Sequence, residues 1–92
     1  MNYSEKFSRR FLRWYKRLHP NQLREIHQGL DRILRDPTIG KTKKGDLAGH
    51  FVYKFSVVGQ EFLIVYTVDD LKLEVTFEAA GSHENFYRDL KR

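Results

Sequence analysis

Apolar residues recur with helical spacing in two segments of the first half of the chain. In the first segment they follow the pattern i, i+4, i+7, i+8, i+11 of one helical face: Phe7, Phe11, Trp14, Tyr15 and Leu18. Residues 20–36 have a second such face: Leu23, Ile26, Leu30, Ile33 and Leu34. A residue before proline is disfavoured in helical conformation, so His19-Pro20 and Asp36-Pro37 mark the two ends. The pattern predicts two helices joined by a very short link, an antiparallel hairpin, with Asn2 or Ser4 capping the first.

From Phe51 onward the apolar residues alternate with a period of two. Three strands are predicted, over residues 51–57, 62–68 and 71–79, with turns at Val58-Gly59-Gln60 and Asp69-Asp70. The middle strand is apolar on both faces, as expected of a central strand, whereas the third is apolar on one face. Gly81 is expected to end the third strand, and Ser82 to cap a short C-terminal helix. The predicted fold is α+β: a two-helix hairpin packed on an antiparallel sheet of three to four strands, in a single domain over residues 1–92.

Charge is distributed unevenly along the 92 residues, which carry a formal net charge of +5. Residues 1–54 contain 13 Lys or Arg and 5 Asp or Glu, whereas residues 55–92 contain 4 and 7. This excess favours a polyanionic partner, most simply nucleic acid, although a solvated basic helix face is the plain alternative. The candidate contacts are Arg9, Arg10, Arg13, Arg17 and Arg88 on the predicted helices, and Lys41, Lys43, Lys44 and His50 around the glycine- and lysine-rich loop of residues 38–50.

Several protein classes are excluded by composition. The chain has no cysteine, and therefore no disulfide framework, thiolate zinc site or cysteine nucleophile. No apolar run approaches the length of a membrane span, and the N-terminus has no signal-peptide pattern, so we expect a cytoplasmic protein. No pair among the four histidines has the spacing of a zinc site, so we expect no metal and no cofactor.

Candidate catalytic residues are few. His83 and Tyr87 are four positions apart and would share a face of a helical turn beyond the last strand. Lys54 belongs to the first predicted strand, on the face opposite Phe55. An imidazole, a phenol and a cation suffice for metal-free RNA cleavage, in which the ribose 2′-OH is the nucleophile. Exposed Lys, His and Tyr are also common at the edge of an ordinary sheet.

The second half of the chain resembles the RelE/ParE superfamily of bacterial toxins, and the two-helix hairpin fits the same family. The resemblance lies in Gly45-Asp46-Leu47-Ala48-Gly49-His50-Phe51, Tyr53-Lys54, Phe62-Leu63-Ile64-Val65-Tyr66 and Gly81-Ser82-His83-Glu84-Asn85-Phe86-Tyr87. It implies a toxin of a type II toxin–antitoxin system with a cognate antitoxin. In RelE-like and YafQ-like members it implies a ribonuclease that cuts mRNA on the ribosome. In ParE-like members it implies a non-enzymatic inhibitor of DNA gyrase.

Residue roles also follow from this resemblance. Lys54 matches the strand lysine that contacts phosphate in RelE, and His83 matches the general base proposed for YafQ-like members. Tyr87 matches an aromatic position near the catalytic tyrosine of RelE, and His50 lies near loop residues of YafQ-like toxins.

The chain departs from RelE at three basic positions, which hold Leu63, Ser56 and His83 here. An N-terminal strand is common in the family, but residues 1–4 are too short for one, and we expect it to be missing. The resemblance favours a ribosome-dependent mRNA endonuclease with catalytic His83, Tyr87 and Lys54. A gyrase inhibitor of the ParE type and a plain RNA-binding module are the alternatives.

Overall fold

The computed structural model describes residues 2–42, 49–57 and 59–82, and within them two helices pack on a five-stranded sheet. In chain order the elements are β1 (Ser4–Phe7), α1 (Arg9–Tyr15), α2 (Pro20–Arg35), a 3₁₀ helix (Pro37–Ile39), β2 (Lys41–Thr42), β3 (Phe51–Val57), β4 (Gln60–Asp69) and β5 (Glu74–Ser82). This arrangement confirms the α+β class. The predicted C-terminal helix lies outside the described residues.

The sheet order is β1-β5-β4-β3-β2, and β1 runs parallel to β5 while the other neighbours are antiparallel. The sheet is therefore mixed, and the expectation of an antiparallel sheet without an N-terminal strand is wrong. β1 gives little signal in the sequence because it is a four-residue edge strand whose first three residues are exposed. Phe7 accordingly ends β1 and does not begin the first helix.

β4 lies at the centre of the sheet and is buried on both faces. Phe62, Ile64 and Tyr66 join Phe11, Ile26, Leu30 and Ile33 of the helices in the main core. Leu63 and Val65 point the other way and form a second buried cluster with Val52 and Ala79. We call the side of the sheet that carries this second cluster the far face. The prediction of a central strand with two apolar faces is confirmed.

Ser8 connects the start of α1 to an irregularity in β5. The register between β4 and β5 shifts between Val65 and Tyr66, which pair with Ala79 and Phe77, so Glu78 is an extra residue. The Ser8 hydroxyl donates to the Glu78 carbonyl oxygen (2.6 Å) and accepts from the Phe11 N–H (3.0 Å). Ser8 is therefore the helix cap, in place of Asn2 or Ser4, because its side chain also satisfies a carbonyl at the bulge.

The β4–β5 turn is longer than predicted. Asp69 Oδ1 accepts from the backbone N–H groups of Leu71 and Lys72, both at 3.1 Å, which folds these residues into a turn. Leu71 is 98% exposed, and Leu73 has a positive φ of 51°. β5 consequently begins at Glu74 and continues through Gly81, so the predictions that the strand starts at Leu71 and is broken by Gly81 are wrong.

The helix boundaries follow the two prolines. α2 begins at Pro20 and ends at Arg35, with Asp36 as its C-cap, as predicted. Gln22 Oε1 accepts from the His19 N–H (3.1 Å) and satisfies one free donor at the start of α2. α1 is shorter than predicted and ends at Tyr15. In the part of the chain that the structure describes, no helix has the length and apolar character that crossing a membrane requires.

Replacing Ser8 with Ala tests the connection between α1 and β5. The variant loses the cap and leaves the Glu78 carbonyl without its donor, so the free energy of unfolding should fall by about 1–2 kcal/mol. Urea unfolding followed by circular dichroism measures the change. Ser56→Ala, at an exposed position of β3, is the matched control and should stay near wild type. A Ser8→Ala midpoint equal to that of the control would contradict this role.

Candidate functional site

Lys54 projects from the far face at the middle of β3. It pairs with Leu63 of β4, which in turn pairs with Gly81 of β5. Lys54 is exposed, whereas Leu63 is fully buried and Gly81 is buried. Lys54 therefore lies in line with a buried leucine and with a glycine that has no side chain. Its ammonium group is accessible to a ligand on this face.

Lys41 lies on the same face as Lys54. It pairs with Val52, two residues before Lys54 on β3, and directly paired residues point to the same side of a sheet. Its side chain is exposed. Two cations of the predicted set, one from the basic loop and one from the sheet, are therefore brought together on the far face.

The segment that precedes Lys41 is attached to the core by Tyr66. The Tyr66 hydroxyl donates to the Pro37 carbonyl oxygen (2.6 Å) and accepts from the Gly40 N–H (3.0 Å). A Cβ on Gly40 would overlap that hydroxyl and lie 3.0 Å from Tyr66 Cζ, so the close approach requires glycine. Tyr66 itself is fully buried and its ring stacks on Phe51, with centroids 5.3 Å apart. We call this set of contacts the Tyr66 latch.

His50 is half-buried immediately before β3. It follows Gly49, whose positive φ of 83° is a conformation that favours glycine. This turn leads the chain from the basic loop into β3, next to the pairing of Thr42 with Phe51. His50 is thus close in the fold to Lys41 and the start of the sheet.

The predicted arginines lie on the other side of the sheet. Arg9, Arg10, Arg13 and Arg17 are all exposed. Phe11, on the opposite side of α1, enters the main core between the helices and the sheet. The structure therefore does not bring these arginines together with Lys54 and Lys41, because the sheet lies between them.

The remaining predicted site residues, Lys43, Lys44, His83, Tyr87 and Arg88, lie outside the described residues. Ser82 is the last described residue, and it pairs with Phe62, one position along from the Leu63–Gly81 pair. His83 is the next residue in the sequence. The roles of His83 and Tyr87 therefore remain predictions.

The described residues contain few charge pairs at this surface. The ion pair between Lys6 and Glu74 (3.4 Å) lies at the β1–β5 side of the sheet, away from Lys54. No cluster of three or more His, Asp or Glu positioned to hold a metal ion occurs within residues 2–42, 49–57 and 59–82. Among the described residues, the part of the far face around Lys54 carries the exposed ammonium groups of Lys54 and Lys41 and the exposed carboxylate of Glu61. The ammonium groups can attract an anion such as phosphate.

Comparison with known proteins decides the family. The family model of ParE-like toxins of type II bacterial toxin–antitoxin systems matches residues 6–91. The chain belongs to this family. The resemblance to the RelE/ParE superfamily is thereby confirmed, and the chain is a toxin of a type II system. No curated protein sequence matches it significantly.

Solved structures share the fold of the toxin. The RelBE2 toxin–antitoxin complex of Mycobacterium tuberculosis matches with a TM-score of 0.78 at 21% identity, covering 90% of this chain and 100% of that chain. The isolated RelE toxin of E. coli matches with a TM-score of 0.70 at 24% identity, covering 98% and 97%. The archaeal RelE–RelB complex of Pyrococcus horikoshii has a TM-score of 0.62 at 15% identity, covering 89% and 96%. These identities establish the shared fold.

Two residues of the toxin near the site were missed by sequence reasoning. Glu61 pairs with Ser56 and so lies on the far face, two positions along from the Lys54–Leu63 pair. Val57 pairs with Gln60, and this pairing sets the register that places Glu61 opposite Ser56. The Tyr66 latch joins residues 26 to 29 positions apart, and no local pattern in the sequence reports it.

The latch predicts a specific pH dependence of the toxin's stability. Burial raises the pKa of Tyr66 to about 12, above the value of about 10 in an unfolded chain. The folded state therefore holds the phenolic proton more tightly, and this contribution is complete below pH about 10 and lost as the pH rises towards 12. Relative to Tyr66→Phe, the wild-type free energy of unfolding should fall by roughly 2 kcal/mol between pH 9 and 12.

Urea unfolding of both proteins at several pH values measures this difference. Tyr66→Phe is its own control, because it keeps the ring and has no phenol to ionise. A difference between the two proteins that stays constant over the whole pH range would contradict the buried, hydrogen-bonded state of the Tyr66 hydroxyl.

Proposed function

We propose that the toxin is a ribosome-dependent mRNA endonuclease that inhibits translation in the bacterial cytoplasm. The observation that carries the proposal is the accessible Lys54 on the far face, in register with the strand that leads to His83. The shared fold with the RelE toxin of E. coli supports the same reading. RNA cleavage needs few protein groups, since the substrate brings its own nucleophile.

The reaction we propose is a transesterification at one phosphodiester. The 2′-oxygen forms a bond to the adjacent phosphorus and loses its proton to a base, while the bond from phosphorus to the 5′-oxygen breaks and that oxygen gains a proton. The products are a 2′,3′-cyclic phosphate and a 5′-hydroxyl. We assign the base to His83 and the leaving-group proton or base stacking to Tyr87, and Lys54 offsets the charge that grows on the phosphorane oxygens.

The alternation of side chains along β5 supports this role of His83. Before the bulge, Val75 and Phe77 face the helices, whereas after it Ala79 and Gly81 belong to the far face. The extra residue thus changes which alternate positions point towards Lys54. Gly81, which is two residues before His83 in the sequence, therefore lies on the same side of the sheet as Lys54. A regular β5 would give the opposite result.

We assign different RNA contacts to the basic residues on the two sides of the sheet. Lys41, Lys43, Lys44 and His50, with Arg88, contact the RNA around the cleavage site. Arg9, Arg10, Arg13 and Arg17 contact ribosomal RNA from the helix side, where they are exposed. Phosphate contacts of this kind release counterions, so ribosome binding should weaken steeply with salt.

We also propose that a cognate antitoxin protein binds the toxin. The structures from Mycobacterium tuberculosis and Pyrococcus horikoshii are complexes of this kind. The exposed arginines of the helix side favour an acidic segment as the binding partner, because opposite charges guide such an encounter.

Replacing His83 or Lys54 with Ala tests the catalytic assignment. His83→Ala should lower the cleavage rate by about 10²- to 10⁴-fold, and Lys54→Ala by about 10²-fold or more. The rate is measured on a translated reporter mRNA, with growth arrest in bacteria as a second readout. His27→Ala on α2 and Lys72→Ala in the β4–β5 turn are exposed, matched controls and should stay active. Full activity of His83→Ala would remove the histidine from the mechanism.

The second candidate function is inhibition of DNA gyrase without catalysis, which the ParE-like description of the matching family favours. A gyrase inhibitor needs a binding surface and no proton transfer. Purified toxin should leave gyrase supercoiling of plasmid DNA unaffected at concentrations that stop translation. Loss of supercoiling with translation intact would establish this second function in place of the first.

A further inference from the structure

The position of Lys41 depends on few contacts within the sheet. Among the described residues, β2 comprises Lys41 and Thr42, which pair with Val52 and Phe51 at the edge of the sheet. Both β2 residues are exposed, so burial of their side chains adds little to holding them there. Two ladder pairs at an edge do not fix a strand by themselves, because the entropy of ordering the chain opposes them.

The Tyr66 latch supplies a further restraint immediately before Lys41. Its hydroxyl bonds both Pro37 and Gly40, and Gly40 is the residue next to Lys41. Asp36 Oδ1 also accepts from the Thr38 N–H (3.1 Å), and this bond restrains the turn that begins at Asp36. Tyr66 is held in turn by the main core, where its ring contacts Phe51 and Phe77. The latch therefore connects the fully buried core to the start of the basic loop.

We propose that Tyr66 is a positioning residue for RNA binding, which holds Lys41 on the far face beside Lys54 by anchoring residues 37–40 from inside the core. This inference rests on the proposed function, because it assumes that Lys41 contacts RNA phosphate. Tyr66 touches no RNA, and its effect passes through the backbone of Gly40 to the neighbouring lysine. A phosphate contact needs the ammonium group at a defined place, and a loosened β2 spreads Lys41 over many positions.

The variants that test this inference are Tyr66→Phe, Lys41→Ala and their combination. Tyr53→Phe is the matched control, because it removes a hydroxyl from the same side of the neighbouring strand, where Tyr53 also packs against the main core. Binding to purified bacterial 70S ribosomes is measured for each protein between about 50 and 300 mM salt. Exchange of the Gly40 amide hydrogen, followed by NMR, reports the latch itself without reference to RNA.

If the inference is right, Tyr66→Phe weakens ribosome binding by roughly three- to tenfold, about as much as Lys41→Ala. The plot of log affinity against log salt concentration should become less steep in both variants, by about the amount expected for the loss of one phosphate contact. The double variant should bind no more weakly than Lys41→Ala, because Tyr66 acts through that lysine. In cleavage of translated mRNA, KM should rise while kcat is retained. Tyr53→Phe should match wild type.

The opposing outcomes separate this inference from the proposed function. If the Gly40 amide exchanges faster in Tyr66→Phe while affinity and salt slope equal those of wild type, the positioning role is wrong and the proposed function stands. If wild-type protein does not bind ribosomes, both are wrong. Should Tyr66→Phe not fold, Gly40→Ala displaces the same segment while the Tyr66 hydroxyl is kept, and it must show the same loss of affinity and slope. Normal binding by folded Gly40→Ala would overturn the inference.

Discussion

Burial of β4 on both faces is the constraint on which the rest of this toxin depends. Phe62, Ile64 and Tyr66 need a cover on one side, which the two helices supply, and Leu63 and Val65 are buried on the other. Each such side chain contributes roughly 1.5–3 kcal/mol when it leaves water. Tyr66 also brings a hydroxyl into the core, and Pro37 and Gly40 satisfy it. The same strand thus fixes the core, the end of α2 and the start of the basic loop.

The second constraint is the bulge at Glu78, which changes the side of the sheet to which alternate residues of β5 point. It lets Val75 and Phe77 fill the core while the end of the strand presents Gly81 on the far face opposite Leu63 and Lys54. Ser8 caps α1 and bonds the Glu78 carbonyl with one side chain, so the irregular position has its hydrogen bond. One strand of nine residues can therefore fill the core at its start and contribute to the candidate site at its end.

The far face carries apolar and neutral side chains next to Lys54 on β3 and β4. Leu63 and Ser56 occupy positions that the resemblance associates with basic residues, and Leu63 is fully buried beneath the surface next to Lys54. Less positive charge is therefore available for the phosphate from β3 and β4. In our proposal, Lys41 and His83 partly compensate for this lower positive charge, and the Tyr66 latch holds Lys41 in place.

Periodicity was sufficient to predict the features with strong local patterns. The two helices, the central strand and the alternation that puts Lys54 opposite Phe55 all come from repeats of 3.6 or 2 residues. The parts that sequence reasoning missed depend on distant partners. β1 is exposed and pairs with a strand about 70 residues away. β2 follows residues 37–40, whose hydrogen bonds to Tyr66 join positions 26 to 29 apart. Of the candidate site, the shared face of Lys54 and Lys41 needed the register of the folded sheet.

Mapping RNA ends after cell-free translation tests whether this toxin cuts mRNA on the ribosome, as we propose. Purified toxin is added to a reporter mRNA with and without ribosomes, and primer extension locates every new end. New ends are expected within the translated region, and only when ribosomes are present. Intact mRNA that continues to be translated normally in the presence of the toxin would contradict this proposal.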